Sequence, residues 1–279
     1  MRIITLTTDF GTRDWFVGTM KGVVLGINPR AVIVDLTHEI PPGDIRAGAF
    51  ALMAGYRFFP KDTVHVAVID PGVGSQRRAI AVQTVNYFFV GPDNGVLSWA
   101  LAREKIKAIR QLENPKYFLN ANSRTFHGRD IFAPVAAHLS RGLPLKQLGR
   151  ELKDFVWLPS PKPTKSAGTV RWGKATDEPA REDARPTKIR GEIVYIDHFG
   201  NAITNIGAEL IPDSRKTVCE AIGKRKVRCD LAEFYGAVPV NSPVAVISSS
   251  GFLEIAMNGG SATQQFELKI GDPVIVRIK

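Results

Sequence analysis

The chain has 279 residues, which is one large domain or two ordinary ones and long enough to bury a sizeable core. Apolar residues make up 44% and charged residues 23%, the balance of a soluble globular protein, which excludes a wholly disordered chain. The formal charge is +10, from 37 basic against 27 acidic residues, yet no apolar run approaches the roughly 18 residues of a membrane span.

Residues 3–7 read as a first strand. The opening MRIITLTTDF has no apolar core followed by a small-residue cleavage site, so it is not expected to be a signal peptide. Asp14 is placed to cap a helix whose apolar face runs through Phe16, Val17, Met20, Val23, Val24 and Ile27, and Asn28-Pro29 stops it. Residues 31–36 form a second strand, Asp44 caps a helix over 45–56, and 64–69 form a third strand. Residues 79–84 and 87–90 read as a hairpin, and 96–103 and 131–141 as further helices. This alternation predicts an α/β domain over 1–160, a mostly parallel sheet covered by helices. Residues 161–188 belong to a stretch rich in Pro, Lys, Arg and Glu without aliphatic periodicity, which reads as a linker. From Ile189 the helical patterns stop. Short apolar runs at 191–196, 202–206, 226–229, 244–247, 252–257 and 273–278 predict an all-β barrel domain over 189–279.

Basic residues crowd into that linker and into 223–228, a hairpin tip, without the run of aromatics that base stacking uses. Solvated loops explain them, and neither nucleic acid nor a membrane is an expected partner. Cys219 and Cys229 fit neither a redox pair nor a zinc site. They could face each other on a hairpin, though two reduced core thiols are expected, with a cytoplasmic location by default. The five histidines lack metal-ligand spacing, so no metal is expected. There is no phosphate-binding P-loop, no dinucleotide fingerprint, no H-E-x-x-H and no G-x-S-x-G.

Four segments are polar and Gly-rich where elements end: 7–12 after the first strand, 68–78 after the third, 126–130 before a helix, and 196–201 in the β domain. Each alone is ordinary turn chemistry, with Asp and Asn bonding their own backbone. Together they supply more. Carboxylates at strand ends accept from ribose hydroxyls or ammonium groups. A histidine beside an arginine and a carboxylate can hold a water and steer its proton.

On these residues the chain resembles the S-adenosyl-L-methionine hydroxide adenosyltransferases, relatives of the fluorinase and chlorinase. The motifs are TDFGT at 8–12, THEIPPGDIRAGA at 37–49, DPGVGSQRR at 70–78, GPDNG at 91–95, FHGRD at 126–130, IDHFGN at 196–201 and SSSGFLEIAMNGG at 248–260. The resemblance implies an α/β domain, a C-terminal β-barrel and a homotrimer whose sites lie between neighbouring subunits. It implies hydrolysis of S-adenosylmethionine to adenosine and methionine, with that molecule as substrate and no cofactor. It assigns catalysis to Asp70, Arg77 and His127, and ribose binding to Asp9. Asn201, Ser249, Glu254 and Met257 match positions around the adenine, with Phe234 as a stacking partner, and Asp197 matches the carboxylate near the methionine ammonium.

C5′ of that substrate already carries a sulfonium, which leaves as a neutral thioether, so the reaction lacks only a positioned nucleophile. Arg77 stays charged and cannot be a base. His127 is the preferred proton acceptor with Asp70 orienting, and the reverse stays open. Two other readings remain. One is a halogenase, disfavoured because the related halogenases carry an aromatic residue at position 70, the fluorinase carries a serine at 128, and an ionised Asp70 repels halide. The other is a non-enzymatic nucleoside- or nucleic-acid-binding protein, which has no need of the Asp70, Arg77 and His127 set. An arginine that grips the methionine carboxylate in the fluorinase is Ser250 here.

Overall fold

Six strands form one sheet in the first of two units, Met1–Pro159 and Ser160–Lys279, into which the chain divides. This computed structural model describes residues 2–119, 124–160, 162–166, 188–211 and 217–278. In chain order the first unit runs β1 (Ile3–Thr8), α1 (Phe16–Ile27), β2 (Val32–Thr37), α2 (Ile45–Gly55), β3 (Val64–Val68), β4 (Ala79–Thr84), β5 (Phe88–Pro92), α3 (Ser98–Leu101), β6 (Ile106–Gln111) and α4 (Ala133–Ser140). The sheet order is β2-β1-β3-β5-β4-β6. The first four strands in that order are parallel; β4 runs antiparallel to both β5 and β6.

Alternation along the strands sorts the core. Ile4, Leu6, Val64, Val66, Val68 and Val90 pack with Met20 and Val24 of α1 and with Ala133, Ala136 and Ala137 of α4. Residues of opposite parity behave differently. The His65 ring stacks edge-on to Tyr56, which follows α2, and beside Phe89. Helices on both faces are what buries a parallel sheet.

Two helix starts differ from the reading of the sequence. Trp15, not Asp14, occupies the cap of α1, and no side chain caps it. Asp14 stands one residue too early to reach the free amides of the first turn. The helix expected over 131–141 is preceded by a five-residue π turn, Gly128–Phe132. Pro134 explains it. The proline lacks the N–H that would bond the Asp130 carbonyl, and its ring crowds that carbonyl. Leu119 N–H donates to the Asp130 carbonyl instead, at 2.9 Å. By contrast Asp44 caps α2 as expected, accepting from Ala47 N–H at 2.9 Å.

The second unit contains β7 (Thr164–Ser166), β8 (Lys188–Ile196), β9 (Ala202–Gly207), β10 (Thr217–Ile222), β11 (Lys226–Asp230), β12 (Pro243–Ile247), β13 (Phe252–Met257), α5 (Ala262–Phe266) and β14 (Pro273–Ile278). Antiparallel pairing runs β11-β10-β14-β8-β9-β13-β12, with β7 added on β8. A bridge between Leu231 and Ala245 brings the two ends together into a nearly closed barrel. Part of the stretch read as linker is thus strand: Thr164–Ser166 pairs with Lys188–Arg190. Residues 167–187 lie outside the described residues. Cys219 and Cys229 sit directly opposite each other on β10 and β11, both buried and both free. Burial pushes the Cys229 thiol up to about 12 and the Cys219 thiol up as well, so both stay protonated packing groups.

Candidate active site

Adjacent parallel strands carry two carboxylates to the same edge. Thr8 of β1 is in register with Val68 of β3, so Asp9 and Asp70 lie just past neighbouring carboxyl ends. Asp9 accepts from Gly43 N–H at 2.7 Å. Burial raises its pKa, partly offset by that bond, with Asp70 adding a smaller upward push. The loop after β1 is held from below. Thr8 Oγ1 bonds His38 Nδ1 at 2.8 Å, His38 Nε2 lies 3.0 Å from Asp35, and Gly11 N–H donates to the His38 carbonyl at 2.8 Å.

After β3 the chain makes two tight turns. Val73 N–H bonds the Asp70 carbonyl and Ser75 N–H the Gly72 carbonyl, each at 3.1 Å. Gly74 has φ +79°, and a Cβ there would lie 2.4 Å from the Arg124 carbonyl. Asn94 Nδ2 anchors the strand end through the Ile69 carbonyl at 2.8 Å. The turns fold Arg77 back onto Asp70. Its Nε donates to Oδ1 at 2.9 Å and Oδ2 at 3.0 Å, and its Nη2 donates to Oδ2. The pair is largely buried, with side chains 11% and 5% exposed.

The same Nη2 reaches His127 Nδ1 at 2.7 Å. A guanidinium only donates, so Nδ1 accepts and the neutral ring carries its proton on Nε2. Burial lowers the His127 pKa and the Arg77 charge lowers it further, against an upward pull from Asp70 and Asp130. The π turn that starts at Gly128 places this histidine at the helix entry. Arg78 serves structure. It pairs with buried Asp93 at 2.6 Å and with Asp154 at 2.8 Å.

Asp70 and His127 line a cavity of about 180 Å³, walled by Phe10, Phe16, Phe126 and Gly128. The three phenylalanine rings stand 5.2–5.8 Å apart. None of them was singled out from the sequence as a site residue. A Cβ on Gly128 would lie 3.1 Å from the Phe126 ring and 3.2 Å from Met20 Sδ, so glycine keeps this space open.

In the second unit the turn between β8 and β9 holds Asp197 and Asn201. Asp197 Oδ1 accepts from the N–H groups of Phe199 (2.9 Å) and Asn201 (2.8 Å), and Oδ2 from Asn201 Nδ2 (2.9 Å). Gly200 has φ +79°, and a Cβ there would meet Ser261 Oγ at 2.0 Å. Glu254, on β13, is buried and accepts from the Tyr235 hydroxyl at 2.8 Å. Burial raises the Glu254 pKa, with Asp197 contributing, and pushes the Tyr235 hydroxyl up to about 12. Thus Asp197, Asn201 and Glu254 form one cluster. It includes Tyr235, which the sequence reading passed over in favour of its neighbour. Phe234 is 59% exposed beside it. Met257 lies at the near end of β13, whereas Ser249 lies in the turn at the opposite end of that strand.

Residues 4–149 match the N-terminal domain of the SAM hydroxide adenosyltransferases, and residues 191–275 match their C-terminal domain. The chain belongs to the SAM hydroxide adenosyltransferase family. A Thermus thermophilus relative named (R)-S-adenosyl-L-methionine hydrolase is 35% identical, over 98% of this chain and 99% of its own. A Methanocaldococcus jannaschii protein of the same name is 36% identical, over 91% and 88%. An Actinoplanes fluorinase is more distant, at 28% identity over 98% and 97%. Among solved structures, an uncharacterized conserved protein from Thermotoga maritima superposes with TM-score 0.86 at 36% identity, covering 98% of this chain and 99% of that one.

Proposed function

We propose that this SAM hydroxide adenosyltransferase hydrolyses S-adenosyl-L-methionine to adenosine and L-methionine. The buried Asp70–Arg77–His127 set beside an apolar cavity carries the reading. Water attacks C5′, the C5′–sulfur bond breaks, and its electron pair returns to sulfur as the neutral thioether of methionine. The attacking oxygen loses one proton, so each turnover releases one proton overall. No acid is needed at the leaving group.

The hydrogen-bond order supports the following division of roles. Arg77 occupies the His127 lone pair, leaving the Nε2 proton to orient a water. The carboxylate of Asp70 keeps acceptor capacity and takes the proton as the oxygen becomes oxonium-like. A carboxylate suffices, because an alkyl oxonium is far more acidic than a carboxylic acid. This reverses the preference read from sequence, in which His127 accepted. Asp9 binds the ribose hydroxyls, Asp197 the ammonium, and Asn201, Glu254, Ser249 and Met257 the adenine surroundings, with Phe234 stacking. No cofactor takes part.

We also propose a cytoplasmic homotrimer in which the second unit of one subunit completes the site on the first unit of its neighbour. In support, the cavity of about 180 Å³ is smaller than the ~300–1,000 Å³ usual for ligands of this size, so one unit holds only part of the substrate. The test of the reaction is incubation with S-adenosylmethionine in chloride and in chloride-free buffer, with the nucleosides separated. Adenosine in both is expected. A 5′-halo nucleoside, or adenosine binding without turnover, overturns the proposal.

A further inference from the structure

A second cavity, of about 700 Å³, lies at the opposite edge of the first unit's sheet from Asp9 and Asp70. It is lined by Arg2 just before β1, Asn28 and Arg30 between α1 and β2, and Ser140 and Arg141 at the end of α4. Half of its six lining residues are arginines and none is acidic. At neutral pH these guanidiniums are always charged.

Part of this arrangement is helix capping. Arg2 Nη1 donates to the Leu139 carbonyl at 2.6 Å, and Arg141 Nη1 to the Ile27 carbonyl at 3.1 Å. That uses one of the five donors each guanidinium carries. Arg30 is different: its side chain has no hydrogen-bond or ion-pair partner among the described residues. The cavity also contains polar side chains that are almost fully buried. Asn28 is 7% and Ser140 4% exposed, and they bond each other at 2.9 Å.

We propose that this cavity binds an oligophosphate, the di- or triphosphate group shared by free inorganic oligophosphates and nucleotides. Three guanidiniums around one concave space match closely spaced phosphates, which they bind by paired, charge-assisted hydrogen bonds. The volume suits a small ligand. No aromatic side chain lines it to stack a base, so the phosphates carry recognition. The hydrolysis gives no reason for this charge, because S-adenosylmethionine is itself a net cation and gains nothing from a basic surface.

The test is calorimetric titration of the whole protein with inorganic triphosphate at low ionic strength, with ATP and single-stranded RNA as parallel arms. Saturable triphosphate binding is expected, weakened roughly tenfold by Arg30→Ala, partly restored by Arg30→Lys, and unchanged by Lys224→Ala at the β10–β11 tip. Arg30 is exposed and its side chain makes no hydrogen bond or ion pair among the described residues, so its loss is expected to leave the fold intact. ATP binding tighter than triphosphate identifies nucleotides as the source; equal affinity identifies the free oligophosphate. Absent triphosphate binding, binding indifferent to Arg30→Ala, or RNA binding that triphosphate does not displace would each overturn the proposal.

Discussion

Arg77 is the residue on which the proposed chemistry turns, because one nitrogen of its guanidinium serves both Asp70 and His127. Lysine keeps the charge but cannot form the fork. Arg77→Lys is therefore expected to lower turnover roughly hundredfold through a misplaced water, while adenosine affinity changes little. Equal losses in both would show that Arg77 serves binding or folding instead. The acid limb of the pH–rate profile follows from His127. Its pKa lies below the ordinary 6.5, mainly from burial, so the neutral ring persists through neutral pH and activity should fall only below pH 6.5. Protonation there removes the lone pair that Arg77 needs. An activity loss centred above pH 6.5 would point to another group. The segments that hold all three stood out in the sequence, because each is polar and Gly-containing where an element ends, and the family resemblance picked the individual residues. The direction of the hydrogen bonds between them was not legible. It depends on how far a turn folds a long side chain back, which spacing does not encode. The pocket rings were equally hidden: Phe16 read as part of an apolar helix face, and Phe10 and Phe126 stood inside polar segments whose neighbours drew the reading.

Elements place these groups through turns that admit glycine alone. The double turn after β3 fixes Arg77, and Gly74 within it combines φ +79° with a backbone carbonyl where a side chain would stand. Gly74→Ala is expected to destabilise the protein by ~1–3 kcal/mol and to depress turnover more than any exposed-loop substitution. Thermal unfolding and kinetics on the same sample check this, and an unchanged rate would mean the turn does not position Arg77. Central strands such as β1 and β3 were legible because burial on both faces admits few charged residues along them. β6 was missed because it is an edge strand carrying Lys107 and Arg110, too polar for an apolar run. The π turn at Gly128 was missed because a local pattern shows where Pro134 stands but not where the displaced carbonyl finds its partner.

At the scale of the whole molecule, the candidate residues fall into two units, with Asp70, Arg77 and His127 in one and Asp197, Asn201 and Glu254 in the other. If neighbouring subunits complete each other's sites, two inactive variants should rescue one another. Mixing unfolded and refolded Asp70→Ala and Asp197→Asn chains is expected to restore about one quarter of wild-type activity, as random assembly in a closed ring dictates. Mixtures that stay inactive would place both halves of a site in the same chain. The central claim, that water is the nucleophile at C5′, has a more direct test. Turnover of S-adenosylmethionine in water labelled with heavy oxygen should give adenosine carrying one heavy atom, in its 5′-hydroxyl. Adenosine without the label at that position, or a nucleoside with another group on C5′, would contradict it.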